Sequence, residues 1–152
     1  MPKISAGLLM YRDTDHDLEV LLVHPGGPFW QRKDNGAWTI PRGEVENGED
    51  YLTAAIREFK EETGWQPQGP YLSLGEVRLR SGKTVHAWAF PGSVDPASLR
   101  SNLFEIEWPP KSGRRQQFPE IDRAGFFPMA EARNKMRISE LPFLDRLAEE
   151  LS

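Results

Sequence analysis

GEVENGEDYLTAAIREFKEETGW, running from Gly43 to Trp65, is the stretch on which the fold turns. Leu52, Ala55, Ile56 and Phe59 recur in it at helical spacing, which predicts a helix from about Asp50 to Thr63, closed by Gly64. On a wheel of ~100° per residue these apolar side chains centre on one side. Arg57, Glu58, Glu61 and Glu62 are expected on the opposite side. Residues 57 and 61, and 58 and 62, are i,i+4 pairs, and 58 and 61 are i,i+3, so three glutamates crowd one another. In an isolated helix each like-charged pair costs about 0.2–0.5 kcal/mol, and a bound cation reverses the sign. Carboxylate oxygens with no Cys or His beside them suit Mg²⁺ or Mn²⁺ better than zinc or copper. The alternative is an acidic face that simply meets water.

Charge around this helix is concentrated. Between Glu44 and Glu62 seven acids stand against Arg57 and Lys60, a local charge of −5 in a chain whose total is −4. The remaining residues therefore sum to +1, and the acidity is local. No long basic stripe accompanies it, so nucleic acid is not an expected partner.

The spacing within the stretch is Gly43, five residues, Glu49, seven residues, Arg57-Glu58, an apolar Phe59, one residue, Glu61-Glu62, one residue, Gly64 and Trp65. Seven fixed letters at about one in fifteen each, tried at ~150 starts, arise by chance roughly once in a million sequences. This spacing resembles the signature of the Nudix hydrolases, matched at every position over residues 43–65. Upstream, Trp38, Pro41 and Gly43 resemble the family's Trp-x-x-Pro-Lys-Gly lead-in, with Arg42 where Lys is usual. The resemblance implies an α/β fold of the Nudix type, an α/β/α sandwich with a mixed central sheet, as one domain over residues 1–152.

It also implies chemistry. Family members cleave a nucleoside diphosphate linked to another moiety, using a divalent metal (Mg²⁺ or Mn²⁺) and water. Glu58, Glu61 and Glu62 are the implied metal ligands, with the Gly43 carbonyl as a further one. A metal there would neutralise phosphate charge and lower the pKa of bound water. Arg57 is implied as an orienting partner, toward Glu49. The general base is open between Glu58 and Glu120, because some members supply a carboxylate from a loop well downstream; for Glu120 the alternative is a surface acid. A homodimer is common in the superfamily.

Outside the signature, Ile4 to Tyr11 and Leu18 to Val23 read as apolar strands separated by the charged turn Arg12 to Asp17, where His16 is expected to face solvent. A Gly/Pro-rich loop, His24 to Gly36, precedes a short strand expected at Ala37 to Ile40. Tyr71 to Leu79 and Thr84 to Phe90 read as a hairpin, and Leu103 to Trp108 as a strand. Two helical pieces follow, Met129 to Met136 and Glu140 to Leu151, with Ser139 placed to cap the second. In the loop, Phe29 and Trp30 are candidates to stack on a nucleobase, and Lys111, Arg114 and Arg115 to receive distal phosphates. Arg42 is a further substrate-binding candidate. A loop folded onto the domain edge and a solubilising surface are the alternatives.

The chain has 152 residues and no cysteine, which removes disulfides, thiolate zinc sites and a Cys nucleophile together. No apolar run approaches the roughly 18 residues of a membrane span, and the N-terminus does not read as a leader, so a cytoplasmic protein is expected. Proline, tyrosine and zinc-segment marks of several Nudix subfamilies are absent. Two substrate classes remain: dinucleoside polyphosphates such as diadenosine tetraphosphate, and nucleoside triphosphates, including oxidised ones, cleaved to pyrophosphate. A third reading is a regulatory module that binds nucleotide without cleaving it.

Overall fold

The continuous apolar run Ala6–Met10 implies a strand buried on both faces, and it forms the centre of the sheet. The computed structural model describes residues 3–15 and 17–152; the expectation for His16 lies outside the described residues. Strand β1 (Ile4–Asp13) is followed by β2 (Leu18–Pro25), β3 (Arg42–Glu44), helix α1 (Tyr51–Thr63), β4 (Leu72–Arg78) and β5 (Thr84–Pro91). Then come β6 (Leu103–Glu107), β7 (Arg115–Pro119), β8 (Ile121–Pro128), α2 (Met129–Lys135) and α3 (Leu141–Leu151).

The mixed six-stranded sheet has the order β4-β5-β1-β2-β8, with β3 also paired to β1. Strand β1 runs parallel to β5 and antiparallel to β2 and β3. It divides its edge between two partners. Tyr11 faces Val20 of β2 near one end, and Ala6 faces Gly43 of β3 near the other. Between those points β1 and β2 part, and residues 38–44 fill the gap. Val23 and Thr39 exchange backbone hydrogen bonds of 2.9 and 3.0 Å, while Leu8 N–H donates to Pro41 O at 3.2 Å.

The strand expected at Ala37 to Ile40 is thus only two isolated bridges, Val23 with Thr39 and Trp38 with Met136. The segment changes partners at each step, so no ladder extends until after Pro41. Strands β7 and β8 lacked a sequence signal: Arg115-Gln-Gln-Phe-Pro is mostly polar, and Ile121-Asp-Arg-Ala-Gly-Phe-Phe-Pro does not alternate. They nevertheless pair, β7 with β6 as a separate two-stranded arm and β8 along the free edge of β2.

Two apolar layers sandwich the sheet. Ala6, Leu8, Met10, Leu21 and Phe90 pack against Ala54, Ala55 and Phe59 of α1. On the other face Leu9, Val20, Leu22, Val85 and Ala87 meet Ala132, Phe143, Leu144 and Leu147 from α2 and α3. The result is the expected α/β/α arrangement. Helix α1 begins and ends as the sequence reading placed it: Asp50 accepts a bond from Thr53 N–H at its start, and Gly64, at φ 80°, ends it in the left-handed conformation that lacks a Cβ penalty. Ser139 does not cap α3. It lies within a 3₁₀ turn, Ile138–Glu140, and Glu140 precedes the helix with no side-chain cap. Among the described residues no helix is long and apolar enough to cross a membrane.

Candidate active site

The site grows from the contact between α1 and β3. Gly43 lies so close to the helix that a Cβ added to it would stand 2.1 Å from the Glu58 carboxyl carbon. Only a residue without a side chain allows β3 and the helix face to approach in this way, and the Gly43 backbone is thereby set beside the Glu58 carboxylate.

Arg57 organises the neighbouring acids. Its Nε and Nη2 donate to the two oxygens of Glu49 at 2.8 and 3.0 Å, a bidentate pair. Nη1 donates to Glu58 at 2.8 Å and reaches Glu61 at 3.3 Å, and Nη2 also donates to the Glu44 carbonyl at 3.1 Å. Hydrogen bonding to Arg57, with help from the Glu46 backbone, holds the Glu49 carboxyl down at about 2. The same bond to Glu49 raises Arg57 above its ordinary value.

Glu62 departs from the expected helix wheel. It is only 5% exposed and belongs to the buried side of α1 with Ala55 and Phe59. The physical reason is its spacing: seven residues after Ala55 is close to two full turns, which returns Glu62 to the packed face. Burial, then the charges of Glu58 and Glu120, push its carboxyl well above the usual range, opposed by Arg42 through its charge and its backbone N–H. Burial also raises Glu58, against the pull of Arg57.

Glu120 reaches this cluster from the junction of β7 and β8. Burial and the charge of Glu61 raise its carboxyl, and its own charge is felt by Glu58 and Glu62. A relay of main-chain bonds sets its position. Asn102 N–H donates to Glu61 O at 3.1 Å, Glu120 N–H to Asn102 O at 2.9 Å, and Gly26 N–H to Glu120 O at 2.8 Å. The end of α1, the downstream loop and the loop after β2 are thereby tied together.

A second buried carboxylate, Glu140, had no signal beyond an acid between Ile138-Ser139 and Leu141. It is fully buried and accepts from Thr39 Oγ1 at 2.6–2.7 Å, Ile40 N–H at 3.2 Å and Arg42 Nε at 3.4 Å. Arg42 therefore runs between the helix site, where its backbone meets Glu62, and this interior anchor.

The loop candidates separate. Phe29 is 62% exposed and lies edge-on to Trp108, 5.3 Å between ring centroids. Trp108 begins the β6–β7 turn that carries Lys111 and Arg114, with Arg115 paired to Glu105 just beyond it. Phe29 and those three cations therefore share one rim. Trp30 turns elsewhere, between Lys33 at 4.9 Å and Arg137 at 4.6 Å. His24, unread from sequence, is fully buried, with Asp122 at 2.8 Å from Nδ1 and the Lys33 carbonyl at 2.6 Å from Nε2.

Among the described residues no three His, Asp or Glu groups are drawn around one point. Arg57 stands against Glu58 and Glu61 instead. The donor chemistry nonetheless fits a hard divalent cation: four glutamates within mutual electrostatic reach, one of them deeply buried, and a backbone that admits no Cβ beside them.

The chain is 55% identical over 53 residues to an RNA pyrophosphohydrolase of Roseobacter denitrificans, covering 32% of this chain and 33% of that protein. It is 43% identical over 58 residues to the asymmetrical bis(5′-nucleosyl)-tetraphosphatase of Caenorhabditis elegans, 38% of each. The matches thus span about a third of these curated relatives' length. The crystal structure of a C. elegans Ap4A hydrolase binary complex superposes with a TM-score of 0.70 at 22% identity, over 97% of both chains, a likeness of fold. A family model described as NUDIX domain matches residues 1–147, and the chain belongs to that family.

Proposed function

We propose that the protein is a divalent-metal-dependent hydrolase of phosphoanhydrides in nucleoside polyphosphates, with dinucleoside polyphosphates such as diadenosine tetraphosphate as its preferred substrates. The observation that carries this reading is the meeting of Glu58, Glu61 and Glu62 on α1 with Glu120 from another part of the chain. The exposed Phe29, edge-on to a half-buried Trp108 beside a cationic turn, supports a two-ended nucleotide, as does the similarity to the C. elegans tetraphosphatase.

Glu58, Glu61, Glu62 and the Gly43 carbonyl would hold Mg²⁺ or Mn²⁺. When bound, the ion supplies charge neutralisation at phosphate and a more acidic water. Arg57 keeps Glu49 and Glu58 in fixed orientation and acts as a positioning residue. Glu120, raised by burial and by the charge of Glu61, is a stronger base than an ordinary carboxylate and is suited to accept the proton of the attacking water. Glu58 remains the other candidate for that proton. Phe29 offers a face to a base, and Lys111, Arg114 and Arg115 take distal phosphates.

A second reading, pyrophosphate release from a triphosphate end, is favoured by the 55% identity to an RNA pyrophosphohydrolase. A product-resolved panel decides between them. Diadenosine tetraphosphate, ordinary and oxidised dGTP and a 5′-triphosphorylated RNA are each incubated with Mg²⁺ or Mn²⁺. ATP plus AMP from the dinucleotide, well above the other rates, is the expected outcome. Preferential pyrophosphate release from dGTP or RNA overturns the substrate class, and no cleavage of any overturns the hydrolase reading.

A further inference from the structure

His24 is fully buried near the end of β2, and both of its ring nitrogens face acceptors. Nδ1 lies 2.8 Å from Asp122 Oδ1, and Nε2 lies 2.6 Å from the Lys33 carbonyl oxygen. A carbonyl can only accept a hydrogen bond, and so can a carboxylate. A neutral imidazole has a single N–H, so it would leave one ring lone pair facing an oxygen at hydrogen-bond distance. The imidazolium donates from both nitrogens and meets both oxygens, with Asp122 as the counter-charge that a buried cation needs. Arg123 Nε stands 3.6 Å from the same Asp122 oxygen, so the carboxylate has a cation on either side. Among the other charges nearby, the Lys33 ammonium lies over Trp30, while Asp34 pairs with Lys135 and accepts from Trp38 Nε1. The Trp38 ring meets His24 edge-on, 5.2 Å between centroids.

The two bonds reach the two parts of the candidate site that lie outside α1. On one side is Glu120. Strands β2 and β8 pair His24 with Arg123 and then Pro25 with Ile121, so Asp122 is the extra residue of a bulge. A bulge bends its strand and re-aims a side chain, and this one follows two residues after Glu120. Gly26 closes the same junction: its N–H donates to Glu120 O at 2.8 Å, and an added Cβ would stand 2.0 Å from Pro119 O. On the other side is the loop after β2. Lys33 N–H donates to Trp30 O at 2.9 Å, and Phe29, one residue earlier, meets Trp108.

We propose that His24 is a positioning residue for this site. Held as an imidazolium, it clamps the Asp122 bulge that sets the Glu120 backbone and the Lys33 carbonyl that sets the loop of Phe29. The inference rests on the proposed function for the roles of Glu120 and Phe29. Splitting the two bonds splits their effects. An asparagine amide nitrogen falls near the place of Nδ1, and a glutamine amide nitrogen near that of Nε2. His24→Asn therefore keeps the donor to Asp122 and drops the Lys33 carbonyl, and His24→Gln does the reverse.

Nitrogen-15 NMR of the histidine-labelled protein at neutral pH reads the ring directly: His24 shows two protonated nitrogens, where a neutral ring shows one protonated and one bare. Asp122 is partly exposed, so Asp122→Ala keeps the fold while removing the counter-charge. In that variant the Gly26 amide, bonded to Glu120, exchanges with solvent at least tenfold faster. Its kcat for diadenosine tetraphosphate, measured with Mg²⁺, falls at least tenfold with KM within about threefold of wild type. Asp122→Asn restores kcat with a neutral ring, because its amide can donate to a bare Nδ1 while Nε2–H still meets Lys33 O. His24→Gln follows Asp122→Ala, whereas His24→Asn raises KM at least fivefold with kcat within about threefold. A neutral ring in the wild-type protein, or wild-type Gly26 exchange and kcat in Asp122→Ala, overturns the proposal. Those two measurements decide it even where a substitution of buried His24 fails to fold. A protein with the imidazolium and the Gly26 effect that cleaves no polyphosphate refutes the hydrolase reading alone. One that cleaves with a neutral His24 refutes the clamp alone.

Discussion

Gly43→Ala tests whether the close approach of β3 to α1 builds the site. The added Cβ would stand 2.1 Å from the Glu58 carboxyl carbon, where carbon atoms settle at about 3.5–4.0 Å. Something must therefore yield by about 1.4 Å. If Glu58 swings away, the 2.8 Å bond from Arg57 is lost, a charged hydrogen bond of about 1.5–3 kcal/mol. If β3 retreats instead, its pairing with Ser5, Ala6 and Gly7 is strained, and overpacking costs about 1–3 kcal/mol. Both routes give about 1–3 kcal/mol, which for a chain of this length lowers Tm by about 2–12 °C. Activity falls further, because displacing a reacting group by about 1 Å costs on the order of 10²-fold. Thermal unfolding and kcat/KM for diadenosine tetraphosphate are measured on the same preparation. A variant that melts with wild type and retains its rate within about threefold refutes the reasoning.

Glu62→Gln removes a charge that burial and two neighbouring carboxylates oppose, so the metal-free variant is expected to melt higher than wild type while losing metal-dependent turnover; a near-wild-type rate refutes the role of Glu62. Metal stabilisation should depend on pH with a definite sign. Glu58, Glu62 and Glu120 are raised in the folded protein, so without metal their ionisation costs stability as pH rises above about 4.5. Metal needs Glu58 and Glu62 ionised, so the stabilisation by Mn²⁺ grows as pH rises above about 4.5, reaching about 2.7 kcal/mol at a hundredfold excess over Kd; a Tm shift that is flat with pH contradicts this. Glu49 has the opposite sign: held at about 2 by Arg57, it contributes stability above the ordinary carboxylate range that is lost as pH falls toward 2. Glu140→Ala leaves Arg42, 13% exposed, without its buried partner, and a loss of about 3–5 kcal/mol in chemical denaturation is expected; a loss under 1 kcal/mol refutes the anchor.

What could be read from sequence was what repeats locally. The α1 limits followed from apolar spacing and a terminal glycine, and the β4–β5 hairpin from two apolar runs around Ser81-Gly82. The family signature marked Glu58, Glu61 and Glu62 as a set. It did not show that Glu62 is interior while Glu61 is exposed, because a signature fixes residue types and spacing, whereas burial follows from the face that Glu62 shares with Ala55, nearly two turns before it. Glu120 was visible only as an acid in a Phe-Pro-Glu loop; its approach to α1 depends on β8 joining the β2 edge. Glu140 was read only as the start of a helix, since its partners Thr39 and Arg42 lie about 100 residues away in sequence. The parallel register of β1 with β5 is likewise a long-range outcome, which no run of residues encodes by itself.

The main-chain relay from Glu61 through Asn102 and Glu120 to Gly26 has a consequence for how this enzyme scaffold can change over time. Amide-to-carbonyl bonds are indifferent to the side chains they connect. Asn102 and Glu120 bracket the whole β6–β7 arm, so the arm is an insert whose two roots are pinned to the end of α1. Its length, its cations and its aromatic tip are free to vary without shifting the Glu120 backbone. The carboxylates are insulated from the part proposed to meet the substrate, and a new specificity can be evolved or grafted at the arm while they stay where they are.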